Sequence, residues 1–153
     1  MKKKILFSAI LVVALLMLGG CFKKTALTTS DFKTKAEAAG YLLADVTSQY
    51  SGAASIKEAT VALIQNKYQV EFYVLDSESS AVDMFETNKD KFESNIEGTS
   101  SKSEANMLNY STYSLTNQGK YVYLSRVENT FLYLHVNSEY KDEVKKFIDN
   151  LGY

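Results

Sequence analysis

The stretch KYVYLSRVENTFLYLHVN, residues 120–137, decides the fold. It is dense in aromatic and β-branched residues, which suit a pleated, half-buried surface. Glu128-Asn129 interrupts it, and Asn tolerates the positive φ of a tight turn. The spacing predicts two strands, 120–127 and 130–137, joined as a hairpin. In the second, Leu132, Leu134 and Val136 line one side, as a core face should, and Phe131, Tyr133 and His135 line the other.

Working outward, MLNYSTYSLT (107–116) reads as a third strand, turning at Asn117-Gln118-Gly119. Downstream, SEYKDEVKKFIDNLGY carries Tyr140, Val144, Phe147, Ile148 and Leu151 at helical spacing. Ser138 is its expected cap and Gly152 its stop. The plan also occurs upstream. YLLADVT (41–47), IKEATVALI (56–64) and KYQVEFYVL (67–75) read as strands, with a loop at SQYSGAAS and a tight turn at Gln65-Asn66. In the last of these, Val70, Phe72 and Val74 alternate with Gln69, Glu71 and Tyr73. DSESSAVDMFETNKDKFESNI (76–96) reads as a helix with Ala81, Val82, Phe85, Phe92 and Ile96 on its apolar side. EGTSSKSEAN (97–106) reads as a polar loop, the expected mobile segment. Ahead of all this, Thr28 and Asp31 form a capping-box pattern. They open a helix with Phe32, Ala36 and Ala39 on one face and Gly40 at its end. The expected order is α-βββα-βββα. Hairpin-linked strands punctuated by helices make this an α+β domain, residues 30–153, with an antiparallel sheet of about six strands and flanking helices.

The chain opens MKKKILFSAILVVALLMLGGCFKK. Lys2, Lys3 and Lys4 form a charged head, and the apolar run 5–18 is shorter than the about twenty residues a membrane span needs. That is the plan of a secretion signal. The small pair Gly19-Gly20 precedes the only cysteine, and Leu18-Gly19-Gly20-Cys21 resembles the lipobox of bacterial lipoproteins. The resemblance implies a signal peptide at 1–20, a diacylglyceryl group on the Cys21 sulfur, and a lipidated tether at 21–29. It further implies an extracytoplasmic protein held on the cell membrane. The order of elements resembles the PsbP-like fold. The segments QVEFYVLDSESSA and SRVENTFLY…EYKDEVKKFIDNLGY resemble small lipoproteins of Gram-positive bacteria, a resemblance that brings no reaction with it. The Tyr, Lys, Asn and Ser bias points to the same low-GC Gram-positive source.

Composition narrows the function classes. Loss of Lys2, Lys3 and Lys4 with the signal takes 17 basic residues to 14 against 18 acidic, a balance of −4. Such a balance disfavours a nucleic-acid partner, which would select a basic face, and a polybasic membrane patch. With Cys21 committed to lipid, no disulfide forms within the monomer. One His and no free Cys cannot assemble the usual nitrogen and sulfur set of a transition metal, and no calcium-loop pattern occurs. No metal or cofactor is expected.

Catalytic sets are absent too. His135 is the only imidazole, and no Gly-x-Ser-x-Gly, Ser-x-x-Lys or His-Glu-x-x-His pattern accompanies it; a base needs a nucleophile and an orienting group within reach. Three groups remain as candidate sites. Tyr121 and Tyr123 are read onto one face with Phe131, Tyr133 and His135, with Tyr73 and Tyr113 extending it. That face is either an open aromatic platform for a sugar, a peptide or a protein, or it is covered by helices. Arg126, the only arginine, either holds an anion with its planar fork or pairs with Glu128 or a carboxylate on a neighbouring strand. Asp83, Glu86, Asp90, Glu93 and Glu97 share a helix face, with Lys89 among them. They form either a solvated face or a docking stripe for a basic partner. The reading is a membrane-anchored, non-catalytic binding module whose partner is an envelope protein or a small ligand. Its alternatives are an accessory subunit of an envelope complex and an envelope enzyme with a carboxylate site.

Overall fold

The computed structural model describes residues 23–153. The expected signal, the lipobox and Cys21 lie outside the described residues. Three α-helices and seven strands follow in the order α1 (Thr29–Ala38), β1 (Leu42–Asp45), β2 (Ile56–Ile64), β3 (Tyr68–Leu75), α2 (Glu78–Glu93), β4 (Ser100–Asn106), β5 (Tyr110–Asn117), β6 (Lys120–Val127), β7 (Thr130–Asn137) and α3 (Lys141–Leu151). One antiparallel sheet holds all seven, in the order β1-β2-β3-β7-β6-β5-β4. Two meanders, β1 to β3 and β4 to β7, meet where β3 pairs with β7, at Glu71↔Tyr133, Phe72↔Leu132, Tyr73↔Phe131 and Val74↔Thr130. Because β4 forms the far edge, α2 must carry the chain from the middle of the sheet across one face.

The α+β class and the antiparallel sheet agree with the sequence reading; the strand count does not. The segment 97–106, expected as a loop, contains β4. All seven residues of β4 are exposed, so no apolar alternation marks it. Its ladder with β5 runs from Ser100↔Asn117 to Asn106↔Ser111. Ion pairs from α2 hold the face of β4 turned toward that helix. Lys89 Nζ lies 2.7 Å from Glu104 Oε1, and Lys102 Nζ lies 2.9 Å from Glu93 Oε1. The apolar pair Met107 and Leu108, expected to begin a strand, instead forms the tip of the β4–β5 hairpin, where Met107 N–H donates to the Tyr110 carbonyl at 2.9 Å.

Local chemistry explains the ends of these elements. Thr28 caps α1 through a reciprocal box with Asp31. The β5–β6 turn places Gln118 and Gly119 at φ 48° and 72°, the two positive angles a two-residue hairpin turn of the primed type demands. At the β6–β7 turn the positive φ falls on Glu128, at 51°, rather than on the expected Asn129. Asn129 is used differently. Its carbonyl accepts from Leu75 N–H at 2.8 Å and its amide donates to the Leu75 carbonyl at 3.0 Å, pinning the end of β3. Helix α3 ends at Gly152 in the left-handed region. Ser138 opens a 3-10 turn ahead of this helix rather than capping it.

Both faces of the sheet are covered. On one, α1 and α3 pack Phe32, Phe147, Ile148 and Leu151 against Phe72, Leu132 and Leu134. Phe32 stacks on Phe72 at 4.6 Å, and Tyr41 on Phe147 at 4.2 Å. On the other, α2 packs Ala81 and Phe85 against Tyr113, Leu124 and Phe131. Within the expected helix faces, Ala39 and Val82 are exposed instead.

Phe32 is wholly buried, so Phe32→Ala is expected to cost about 3–5 kcal/mol, read as a lowered urea midpoint with an unchanged slope. Lys89→Ala is expected to lower global stability by no more than about 1 kcal/mol. Amide exchange in β4 should accelerate selectively, because the exposed strand loses its ammonium contact with α2.

Candidate functional site

The hairpin register separates the tyrosines that the sequence reading grouped. Tyr121 pairs with Val136 and Tyr123 with Leu134, so both lie on the α1/α3 face with Leu132, Leu134 and Val136. Tyr73, Arg126, Phe131, Tyr133 and His135 lie on the α2 face. The shared platform is therefore corrected: a two-residue turn makes paired residue numbers add to an odd total, so odd positions on β6 face with even positions on β7. Tyr113 is fully buried under α2.

The rings are mostly covered. Tyr121 is 3% exposed, with the Lys141 ammonium 5.2 Å from its ring centre, and burial pushes its pKa up to about 12. Tyr123 is partly buried, and burial raises its phenol as well. Tyr73 is buried and donates to Glu71, while its hydroxyl lies 2.9 Å from that of Tyr50. Burial first, and the Glu71 carboxylate next, hold Tyr73 far above the ordinary phenol range. Burial keeps these phenols neutral, and the Tyr73 hydroxyl is partnered within the fold.

Tyr133 and His135 differ. They lie beyond the shelter of Phe85, where Phe92 of α2 is the last ring over the sheet. Phe92 stacks on Tyr133 at 6.0 Å and meets His135 edge-on at 5.3 Å. Two adjoining clefts open there, of about 590 and 360 Å³, and both are lined by Lys120, Tyr133 and His135. The larger reaches Leu63, Gln69 and Glu71 on the β2–β3 side. The smaller runs beneath the end of α2, between Phe92 and Asn117. Glu71 accepts from Gln69 Nε2 at 2.8 Å, and Lys120 Nζ donates to Asn137 Oδ1 at 2.6 Å. Carboxamides recur along both walls, with Asn66, Gln69 and Asn137 on one and Asn95, Asn117 and Gln118 on the other. Among the described residues, no Ser, Thr or Cys lines either cleft. The arrangement offers hydrogen bonds and one aromatic flank, with no hydroxyl or thiol nucleophile beside the imidazole other than phenols.

Arg126 lies toward the other end of the sheet. It is 5% exposed; its Nη1 is 2.9 Å from Glu78 Oε1 and its Nη2 donates to Ser111 Oγ at 3.3 Å. Its carboxylate partner is thus in the first turn of α2 rather than on a strand or at Glu128, and Nε has no partner among the described residues. The acidic face of α2 is divided. Glu86 and Glu93 turn toward Lys89 and Lys102, whereas Asp83 and Asp90 are exposed and make no ion pair among the described residues. Glu97, past the helix, accepts from Gln118 Nε2 at 3.0 Å.

Leu63, Gln69, Glu71 and Lys120 were not singled out by the sequence. The available signal was the clustering of carboxamides at the Gln65-Asn66 and Asn117-Gln118 turns, which the sheet brings to one end. Leu42 and Leu63, paired across β1 and β2, are 58% and 37% exposed, an apolar flank that leads into the larger cleft.

No protein-family model and no curated protein matches the chain. Among solved structures, the chain is similar to a GTP binding regulator from Thermotoga maritima, at 16% identity over 84% of this chain and 87% of that one, with a TM-score of 0.47. It is also similar to the extracellular domain of PknH from Mycobacterium tuberculosis, at 9% identity over 82% of this chain and 92% of that one, with a TM-score of 0.37.

Burial first, and the Lys120 ammonium second, hold the His135 pKa below its ordinary 6.5. The single imidazole gives a clean carbon-bound proton signal by NMR, which should titrate below that value. Lys120→Ala should move it upward. The unfolded chain takes up this proton first as pH falls, so the site's contribution to stability is intact above 6.5 and lost as pH drops through the folded value.

Proposed function

We propose that this protein is a cell-envelope lipoprotein, held on the membrane by a diacylglyceryl group at Cys21, whose domain is a non-catalytic binding module. The observation that carries the anchor is Leu18-Gly19-Gly20-Cys21, placed directly after a lysine head and a fourteen-residue apolar run, 5–18. Two acyl chains hold a protein on a bilayer stably where one does not. The mature body then works outside the cytoplasm, on the surface of a bacterium of Gram-positive type.

The clefts around Tyr133 and His135 support binding as the task of that body. They combine an aromatic flank, exposed Leu63 and side-chain amides, which both donate and accept. This suits a neutral, polar chain such as an extended peptide or a glycan strand. The lining favours that reading over an envelope enzyme with a carboxylate site, because Glu71 is the one carboxylate among the described residues of the clefts and no second stands beside it to form an acid–base pair. The ion pairs of Glu86 and Glu93 with lysines of this chain weaken the alternative of a dedicated acidic docking stripe.

Anchor and binding face are tested together in the native host. Intact mass should show the chain starting at Cys21 and carrying a diacylglyceryl adduct, and Cys21→Ser should abolish membrane retention. An unmodified thiol on a full-length precursor would overturn the anchor. For the binding face, a ligand recovered by crosslinking from detergent-solubilised envelope should be retained by Asp83→Asn and lost by the Tyr133→Ala/Leu63→Glu pair. Equal retention by both variants would remove the cleft as the site.

A further inference from the structure

We infer that the β4–β5 hairpin tip, Met107 and Leu108, rests in the same bilayer that holds the lipid at Cys21, so that the domain stands on the membrane in a fixed orientation. The inference builds on the proposed anchor and adds a second contact to it.

Three observations carry it. The first is position. Lys23, the first described residue, shares a hollow of about 550 Å³ with Leu108 and Asn109. Cys21 is two residues earlier, so its Cα is within about 7 Å of that of Lys23. Whatever Cys21 is buried in therefore begins beside the tip.

The second is the absence of slack. Asn109 grips the incoming backbone from both sides: its Oδ1 accepts from Lys24 N–H at 3.2 Å and its Nδ2 donates to the Lys24 carbonyl at 2.6 Å. The Lys24 ammonium sits 4.9 Å from the centre of the Tyr110 ring, and Ala26 and Leu27 pack on the core. Residues 24–27 are thus strapped to the body, and the lever between lipid and fold is two or three residues long. So short a span keeps the lipid close to the tip.

The third is chemistry. Leu108 is 80% exposed, the greatest exposure of any large apolar side chain among the described residues, and Met107 beside it is 37% exposed. The apolar pair projects at a turn, where polar residues are the usual choice. Acidic groups nearby do not suit an anionic surface on their own: Glu128 and Glu78 share the hollow, and Glu78 is held by Arg126. The contact is accordingly apolar insertion with Lys23 at the headgroup level, not electrostatic adsorption.

The sheet then stands on end. β6 and β7 are eight residues each, about 26 Å of strand. The clefts at Tyr133 and His135 lie toward the end of the sheet opposite the tip, facing away from the bilayer.

The full-length lipidated protein, reconstituted into vesicles of equal parts phosphatidylethanolamine and phosphatidylglycerol, tests this. Cys21 is blocked by its lipid, so Met107→Cys takes a single environment-sensitive fluorophore at the tip and Gln118→Cys one at the opposite end. The tip probe should show blue-shifted emission and quenching by nitroxide-labelled lipid; the Gln118 probe should show neither. Adding Leu108→Glu to Met107→Cys should abolish the tip signal while the protein still floats with the vesicles. Flotation with a water-like tip probe would overturn the tip contact and leave the anchor standing. Failure to float would remove both.

Discussion

The domain depends on four residue pairs at the centre of its sheet, where β3 meets β7 from Glu71↔Tyr133 to Val74↔Thr130. Each meander closes within itself by local turns, but neither covers both of its own faces. The central pairing brings Phe72 beside Leu132 and so makes one continuous wall for α1 and α3 to cover. It also imposes the long crossover. A second meander that ends at the centre must begin at the far edge, so α2 has to span the sheet. The Asn129 clamp on Leu75 secures the end of β3 where the chain leaves the junction for α2.

Where α2 lies decides what is open. It is a single helix laid over a seven-stranded sheet, so it cannot cover the whole face. Ala81 and Phe85, in its first half, are buried over Tyr113, Leu124 and Phe131. By Phe92 the cover is thinning: Tyr133 is half-buried, and His135 and Leu63 are exposed. On the opposite face two helices share the work, and Tyr121 and Tyr123 sit beneath them. The contrast in chemical availability between Tyr121 and Tyr133 comes from one helix against two, not from any difference between the residues themselves.

Much of this was legible because the central strands announce themselves. Residues 120–127, 130–137 and 56–64 alternate or run apolar strongly enough that their boundaries could be read off directly; the Gly-ended helices gave their stops, but the start of α3 was misplaced because Ser138 opens a 3-10 turn instead of capping it. Two failures have definite causes. β4 carries no apolar residue to alternate except Ala105, since an edge strand with a solvated outer face is held by its ladder and by lysine contacts that no local window contains. The tyrosine grouping failed differently: the turn length needed to work out the parity was present in the sequence, at Glu128-Asn129, and applying it separates Tyr121 and Tyr123 from Tyr133. The Arg126 partner lay 48 positions away, across the central junction, and only the tertiary fold brings it near.

The same geometry gives the two ends of the sheet different surroundings. At the end bearing Arg126, the incoming chain is clamped by Asn109, Glu128 N–H donates to the Asn109 carbonyl at 2.8 Å, and Glu78 ties the start of α2 to β6. Side chains there join three elements, although Arg126 Nε keeps no partner among the described residues. At the opposite end, Asn117 Nδ2 donates to the Glu97 and Thr99 carbonyls, Gln118 Nε2 donates to Glu97, and Asn137 Oδ1 accepts from Lys120, while Gln118 Oε1 and Asn137 Nδ2 keep further positions open at the clefts. Folding satisfies buried polar groups first; those left at a concave surface are free to meet something else. The two ends therefore differ in cover rather than in pairing: α2 begins over Arg126 at one, and at the other it ends past Phe92 and leaves the clefts beside Tyr133 and His135.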